Sequence, residues 1–447
     1  MKKEEPVIQV GILSAKEINF IFEGEYFFNG ISYSGKQTAI FKNSKILFGD
    51  EYLDELFFNP KEETNNFELI DVVIGINFHW ERKENQRFKG SLKLIIENGQ
   101  LTAINRINVE DYLTSVISSE MSATASDELL KAHAVISRSW LLCPLQSKEQ
   151  RTKNKDKKSG TEQKTVNYQL STINYIKWYE RDAHTNFDVC ADDHCQRYQG
   201  ITRASTTAVE KAIVATRGEV LMFEDQICDA RFSKSCGGAS ETFENCWAPV
   251  HYPYLTKVID NSTEPEGYEL DLTVEKNAEK WIRQSPEAFC NTTDKKVLSQ
   301  VLNNYDQETT DFYRWKVEYT QDQLAEIINK RSGFDFGEIV NLIPVKRGES
   351  GRIIELKIIG TKQTIIVGKE LEIRKWLSNS HLYSSAFVID TSNIQNNIPQ
   401  KFELTGAGWG HGVGLCQIGA AMMGNKGYKY DKILLHYFRG AELKRIY

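Results

Sequence analysis

The alternation of apolar and polar residues predicts that the first hundred residues form β-strands. Between residues 7 and 100, apolar residues alternate with polar ones or gather in short runs separated by Gly and Asn, as in half-buried strands. The predicted strands cover residues 7–13, 18–28, 31–48, 69–78 and 91–96. Asn98-Gly99 is a strong signal for a tight turn between strands. This part of the chain therefore reads as a β-rich layer.

A helical period replaces the alternation after residue 105. Residues 105–116 lead into a helix, and a second helix is predicted over residues 126–142. Ser126 is a suitable N-cap, and the acidic residues that follow it favour the positive end of the helix dipole. Leu129, Val135 and Trp140 recur at near-helical spacing. Pro144 is expected to end this helix.

Strands and helices interleave along the rest of the chain. Further helices are predicted at residues 206–216, 278–283, 320–330 and 430–438, and further strands at 219–223, 226–232, 339–347, 353–359 and 363–367. Because no long block contains only one type of element, we predict the α+β class, with a mixed β-rich core, interspersed helices and inserted elements.

The same pattern suggests four consecutive regions. Residues 1–100 form the β-rich N-terminal part, and residues 101–264 form a core region with the two helices and a loop rich in Cys and His. Residues 265–400 read as an inserted α/β subdomain. Residues 401–447 hold a glycine-rich loop and a closing helix that complete the core.

Composition and charge remove several classes of protein. The 447 residues carry a net charge of −6, so no basic footprint for nucleic acid is visible. The basic stretch 146–165 lacks large apolar residues and is predicted to be a solvated, disordered insertion. The absence of a run of about 18 apolar residues predicts no transmembrane segment. The N-terminus shows no signal peptide, so either the protein stays in the cytoplasm or a signal has been removed.

Glu120 is the first candidate for chemistry. It lies beside Val116, Ile117 and Met121, just before the second predicted helix. Partial desolvation there would raise the pKa of the carboxyl group, as a general acid near neutral pH requires. The alternative is an ordinary surface or capping carboxylate.

A short loop with two cysteines is the second candidate. His184, Cys190 and Cys195 offer one imidazole and two thiolates, which suit a tetrahedral Zn²⁺. His194 competes with His184 as the nitrogen ligand. The alternative is a Cys190–Cys195 disulfide or two inert thiols.

Two glycine-containing loops complete the candidates. In residues 232–247, Cys236 precedes Gly237-Gly238 and could pair with Cys246, line a groove, or act as a nucleophile with His411 or His133 as base. No spacing signature supports the nucleophile. In residues 406–420, glycines surround Trp409 and His411, which suits sugar stacking as well as a tightly packed turn.

Taken in order, these segments resemble the SpoIID/LytB family, the sporulation stage II protein D and amidase-enhancer group of peptidoglycan-acting proteins. The matching segments are FKGSL (88–92), INRINVEDYLTSVISSEM (104–121), LLKAHAVISRSW (129–140), residues 212–247, SGR (350–352), SSAFVI (384–389) and residues 408–438. The chain departs from the family pattern at Ser122, His133, Ser233-Lys234 and Cys236.

The resemblance implies a lytic transglycosylase that cleaves the bond between N-acetylmuramic acid and N-acetylglucosamine in glycan strands stripped of stem peptides. It places the catalytic glutamate at Glu120 and a zinc site, present in some relatives, at His184, Cys190 and Cys195. Two rivals remain: a non-catalytic module that stimulates an amidase, and a zinc hydrolase that uses the three metal ligands.

From these motifs we also predict the partners and the groove. The partners would be peptidoglycan strands and, as a candidate, a cell-wall amidase, with no nucleic acid. A cell-envelope or periplasmic location is expected on functional grounds. The predicted substrate-binding residues are Arg138, His133, Ser235, Cys236, Gly237, Gly238, Trp409, His411 and Gln417.

Overall fold

A computed structural model describes residues 4–74, 82–122, 124–153, 173–179, 184–192, 194–202, 205–301 and 311–447. Strands outweigh helices, several sheets are present, and helices are interspersed among them. The predicted α+β class is therefore confirmed. Within the described ranges, no helix is both long enough and apolar enough to span a bilayer.

The strands of the N-terminal half largely follow the predicted alternation. They are β1 (Val7–Ala15), β2 (Glu17–Phe28), β3 (Ile31–Lys42), β4 (Lys45–Phe48), β5 (Glu51–Leu53), β6 (Leu56–Pro60), β7 (Asn66–Ile74), β8 (Arg82–Lys89), β9 (Ser91–Glu97), β10 (Gln100–Asn108), β11 (Ile173–Ile176) and β12 (Val189–Cys190). The C-terminal half adds β13 (Glu219–Phe223), β14 (Gln226–Ile227), β15 (Phe232–Ser233), β16 (Arg314–Thr320), β17 (Ile339–Arg347), β18 (Ile353–Gly360), β19 (Thr364–Gly368), β20 (Phe387–Gln395), β21 (Ile398–Ala407), β22 (Leu415–Cys416) and β23 (Glu442–Arg445).

The helices in the described ranges include all of those that the sequence predicts. They are α1 (Val109–Glu120), α2 (Asp127–Lys153), α3 (Thr207–Ala215), α4 (Glu275–Gln284), α5 (Lys295–Leu298), α6 (Gln321–Ser332), α7 (Glu370–Trp376), α8 (Gln417–Asn425) and α9 (Tyr430–Tyr437), with a 3₁₀ turn at Phe243–Asn245.

The chain forms two compact units. The first contains residues 1–138, 182–219 and 445–447, and the second contains residues 139–181 and 220–444. Each unit is therefore assembled from segments that are far apart in the sequence.

The first unit is built on one large sheet, in the order β12-β1-β10-β9-β6-β2-β3-β4-β5, with β7 beside β2 and β8 beside β7. The turn between β9 and β10 is the predicted Asn98-Gly99, where both residues have positive φ and Gln100 pairs with Glu97. This geometry matches the twist of the two strands. The sheet buries an aromatic core that includes Phe20, Phe58 and Phe67.

Helix α1 follows β10 without a loop, because Asn108 ends the strand and Val109 begins the helix. The carboxylate of Glu5 accepts a hydrogen bond from the amide of Glu110 at 2.9 Å, which satisfies one of the unpaired donors of the first turn. Val109, Tyr112, Val116 and Ile117 are buried. This apolar stripe fixes the face that α1 turns to the core.

The second unit contains two antiparallel or mixed sheets, β11-β19-β18-β17 and β16-β21-β20. Helices α6 and α7 cover them around one core cluster that includes Trp315, Leu356, Trp376 and Phe402. The smaller sheets β14-β13-β23 and β15-β22 complete this part.

The prediction for Pro144 is wrong. Ser126 does cap α2, since its Oγ accepts from the amide of Leu129 at 3.3 Å, but the helix continues through Pro144 to Lys153. Proline removes its own N–H donor and its ring crowds the carbonyl of residue i−4, but its fixed φ is compatible with helical backbone, so the helix loses a hydrogen bond at Pro144 without ending there. The start of the predicted disordered insertion, 146–153, is therefore helical, whereas residues 154–165 lie outside the described residues.

Candidate active site and metal centre

Glu120 is the last residue of α1 and its side chain is half-buried. Its neighbours Ile117, Ser119 and Met121 are buried, so the carboxyl group leaves the helix at the edge of the core. The C-terminal end of a helix carries a partial negative charge. In general, such a position and partial burial act against the charged form of a carboxyl group.

The chain segment at residues 196–199 lies along α1 and fixes the helix that ends at Glu120. The amide of Gln199 donates to Ser115 Oγ at 3.2 Å, and Ser119 Oγ donates to Gln199 Oε1 at 3.4 Å. The ring of Tyr198 stacks on Tyr112, with the centroids 4.9 Å apart. Residues 112, 115 and 119 share one face of α1, because they are separated by about one and two helical turns.

Gln199 also connects this face to the sheet. Its Nε2 donates to Glu84 Oε1 at 3.3 Å, and the same oxygen accepts from Gln86 at 3.0 Å. Arg82 pairs with the other oxygen of Glu84 at 3.2 Å. Sequence analysis missed Gln199 and Glu84, since contacts over about 80 and 115 residues leave no local signal in one sequence.

The Cys/His loop forms a compact group of possible metal ligands. One ligand atom from each of His184, Cys190, His194 and Cys195 lies within 4.8 Å of all the others. Cys195 Sγ is 3.5 Å from both His184 Nε2 and His194 Nδ1. In a tetrahedral site with Zn–S of about 2.3 Å and Zn–N of about 2.0–2.1 Å, sulfur and nitrogen ligands stand about 3.5 Å apart.

Two features hold this loop in place and favour thiolate ligands. Cys190 lies on β12, where it pairs with Gly11 of β1. The pKa of the Cys190 thiol lies well below its usual range, because it interacts by hydrogen bonding with Cys195 and the two histidines. The thiolate is the form that binds metals.

From the sequence we predicted His184, Cys190 and Cys195 as ligands, with His194 as the alternative to His184. The structure brings both histidines to the cysteines, so the group has four members. No disulfide joins Cys190 and Cys195. A set of four protein ligands is typical of structural zinc sites, whereas catalytic sites keep an open position.

The glycine-rich loop (residues 406–414) lies in the second unit. Trp409 forms an antiparallel bridge with Ser235, and its half-buried ring packs between Tyr383 and Phe312, with centroids at 4.2 and 4.7 Å. Gly408 has a φ of 75° and passes so close to the backbone at Ser235 that a Cβ would not fit. The loop therefore presents an aromatic ring on a closely packed backbone.

His411 is held as a neutral side chain. Its Nδ1 accepts a hydrogen bond from the amide of Val413 at 3.0 Å, and its ring meets Trp247 edge-on. Burial, with added repulsion from Arg231 and Arg352, lowers the pKa of His411 well below its ordinary value. The imidazole is thus an uncharged acceptor at neutral pH.

The other predicted substrate-binding residues of the second unit are buried. They are Ser235, Cys236, Gly237, Gly238 and Gln417. Cys236 faces Cys290 and Cys416 rather than Cys246, so the predicted alternative of a Cys236–Cys246 pair is not observed. Burial raises the pKa of the Cys236 thiol well above its usual value, which is unfavourable for a nucleophile.

Arg138 and His133 lie inside the first unit. The guanidinium of Arg138 is fully buried and binds both carboxylate oxygens of Glu110, at 3.1 and 2.6 Å. His133 is also fully buried, with Nδ1 3.5 Å from Ser137 Oγ. Neither side chain has exposed surface with which to contact a glycan, so this geometry gives their predicted role no support.

Comparisons with known protein families match two parts of the chain, residues 97–223 and residues 241–414. The family "Stage II sporulation protein" matches residues 97–223, which include α1, Glu120 and the Cys/His loop. A domain of unknown function matches residues 241–414.

Three individual proteins are also similar to this chain over much of its length. Stage II sporulation protein D of Bacillus amyloliquefaciens is 21% identical over 347 residues, which cover 76% of this chain and 75% of that protein. The amidase enhancer of Bacillus subtilis is 25% identical over 271 residues, but only 34% of its length is covered. An uncharacterized protein of Brachyspira hyodysenteriae is 24% identical over 80% of this chain and 72% of its own length. Together, these matches support the resemblance to the SpoIID/LytB family, and the family model itself covers residues 97–223.

Proposed function

We propose that this protein is a peptidoglycan lytic transglycosylase with Glu120 as its general acid and base. The family matches support a role related to the cell wall. The observation that carries the finer proposal is the position of Glu120, half-buried at the negative end of α1 and directly before Met121. We further propose that the protein acts in the cell envelope, where peptidoglycan lies.

The proposed reaction needs one carboxyl group in two successive states. Protonated Glu120 gives its proton to the glycosidic oxygen, and the bond between C1 of N-acetylmuramic acid and that oxygen breaks. The resulting carboxylate accepts the proton of the C6 hydroxyl, whose oxygen bonds to C1. The products are a free 4-hydroxyl on N-acetylglucosamine and a 1,6-anhydro end. No water is consumed, so a second carboxylate to activate water is not required.

The chain's own residues would orient this carboxyl group. Ser119 and Gln199 fix the last turn of α1, and Tyr198 packs against its first half. Because these contacts join the helix to the Cys/His loop segment, the general acid stands on a braced element rather than a mobile loop. Such bracing limits the motion of a proton donor relative to its acceptor.

We also propose that His184, Cys190, His194 and Cys195 bind one zinc ion that stabilises this segment. The donor set and its spacing suit Zn²⁺, and four protein ligands fill a tetrahedral site. Zinc there would supply a cross-link for the loop rather than activate water. Because four protein ligands leave no open position for a water molecule, this ligand set weighs against the zinc hydrolase considered from the sequence.

The substitution Glu120→Gln tests the proposal. It removes the transferable proton but keeps the shape of the side chain. We expect loss of 1,6-anhydro products from purified denuded glycan strands by at least a hundredfold, measured by mass spectrometry. Asp111→Asn, on the exposed surface of the same helix, should retain activity. If the Glu120→Gln variant released these products at the wild-type level, Glu120 would have no catalytic role.

A non-catalytic amidase enhancer is the second candidate, because one relative carries that name. The same variant separates the two functions. An enhancer would stimulate a cell-wall amidase equally well with Glu120→Gln, and the purified protein alone would release no anhydro sugar. A transglycosylase would lose its own product while its binding to the wall persists.

A further inference from the structure

A second group of buried ligands lies in the second unit, apart from the sequence motif for zinc. It consists of Cys236, Asp260, Cys290 and Cys416, each with 2% or less of its surface exposed. One ligand atom from each lies within 4.8 Å of all the others. Buried thiolates and carboxylates are costly to desolvate unless they are paired or coordinate a metal.

The spacing of the sulfurs fits a shared metal better than a disulfide. Cys236 Sγ and Cys290 Sγ are 3.7 Å apart, whereas a disulfide requires about 2.05 Å. Two thiolates on one tetrahedral Zn²⁺, each at about 2.3 Å, stand about 3.8 Å apart. The 3.7 Å separation is therefore close to the edge of such a tetrahedron.

Hydrogen bonds orient the side chains of this second ligand group. The amide of Cys236 donates to Cys416 Sγ at 3.2 Å. The two oxygens of Asp260 accept from the amide of Cys290 at 2.8 Å and from the hydroxyl of Tyr437 at 2.6 Å. Outer hydrogen bonds of this kind are typical of metal sites, where they fix the orientation of each ligand.

Two sources of positive potential favour anionic sulfur here. Cys416 is the N-cap of the nine-residue helix α8, where the helix dipole stabilises a thiolate. The guanidinium of Arg314 donates to the backbone carbonyl oxygens of Gly237 and Trp281, which carry no charge.

We propose that Cys236, Asp260, Cys290 and Cys416 form a second metal site that holds Zn²⁺ or a similar thiophilic divalent cation. The four ligands come from segments spread over 180 residues, so one ion would cross-link much of the second unit. Cys236 follows Ser235, which bridges to Trp409. The ion would thus fix the backbone on which the glycine-rich loop rests. This inference does not depend on the proposed cleavage of glycan.

The test is the zinc content of the full-length protein purified under reducing conditions without added metal, measured by elemental analysis and native mass spectrometry. We expect two zinc ions per chain in the wild type, one in Cys290→Ser, one in Cys190→Ser and none in the double variant. Cys246→Ser, a buried cysteine outside the group, should keep two.

A second measurement keeps the proposal falsifiable if Cys290→Ser fails to fold. In the Cys190→Ser protein loaded with Co²⁺, the sulfur-to-metal charge-transfer band should report three thiolates in a tetrahedral site. The proposal would be overturned if the wild-type protein held one zinc ion and the Cys190→Ser protein held none. A peptide map of the freshly purified protein that shows a Cys236–Cys290 disulfide would also overturn it.

Discussion

Glu110 shows how a single charged residue can organise the first unit. Its carboxylate accepts two hydrogen bonds from Arg138, one from the amide of Gly218 at 3.0 Å and one from the hydroxyl of Tyr447 at 2.7 Å. The exposed fractions of the Arg138 and Glu110 side chains are 0% and 8%. Such a buried pair needs each partner, because one charge left alone in the interior has neither water nor a counterion.

The substitution Arg138→Met should therefore destabilise the protein strongly. We expect a loss of about 3–5 kcal/mol in the free energy of unfolding, measured by urea denaturation. Lys45→Met, which breaks the exposed pair with Asp54, should cost less than about 1 kcal/mol. The double variant Glu110→Leu/Arg138→Met should recover only part of the loss, because the amide of Gly218 and the hydroxyl of Tyr447 then lose their acceptor. A loss for Arg138→Met as small as that for Lys45→Met would contradict this account.

At the scale of elements, the Cys/His loop braces the helix that carries Glu120. The loop begins at the metal ligands and continues directly into the segment whose residues Tyr198 and Gln199 contact α1. Release of the ligands should therefore loosen the last turns of α1, because Gln199 contacts both Ser115 and Ser119 on that helix.

The substitution Cys190→Ser tests this connection by hydrogen exchange. We expect amide exchange in the segment 115–120 to rise about tenfold, equivalent to about 1.4 kcal/mol of local opening. Strand β2, in the same unit, serves as the internal reference and should not change. Unaltered exchange at 115–120 in a metal-free variant would show that the loop does not support the helix.

The elements were more predictable than the contacts between them. Alternation and turn chemistry are local, so β1, the Asn98-Gly99 turn and α3 could be predicted from neighbouring residues. The passage of α2 through Pro144 could not, because a proline is locally a signal that ends a helix. The members of the Cys/His group were named from the sequence, and the structure brings them together. The role of Glu120 stays a prediction. The burial of Arg138 depends on Glu110, which local patterns do not pair with it.

At the scale of the whole molecule, half-buried neutral histidines make the fold sensitive to acid. Burial, with added repulsion from Arg439, lowers the pKa of His436 to about 4, and burial also holds the pKa of His411 well below its ordinary value. An unfolded histidine has a pKa near 6.5. As the pH falls below about 6.5, the unfolded chain binds protons that the folded chain does not, so stability is lost.

We expect the free energy of unfolding to fall between pH 6.5 and pH 5, by up to about 1.4 kcal/mol per pH unit for each such histidine. Urea denaturation at pH 7, 6 and 5 measures the slope. His436→Gln should reduce it, whereas His251→Gln, at an exposed position, should leave it unchanged. Equal stability at pH 7 and pH 5 in the wild type would refute the prediction.

The return of Tyr447 to the first unit has a consequence for biosynthesis. Its hydroxyl reaches Glu110 and the amide of Ile446 donates to Gly218 at 2.9 Å. During translation the first unit thus lacks one donor to its central carboxylate until residue 447 leaves the ribosome. The nascent first unit therefore cannot complete these contacts until more than two hundred intervening residues have been synthesised.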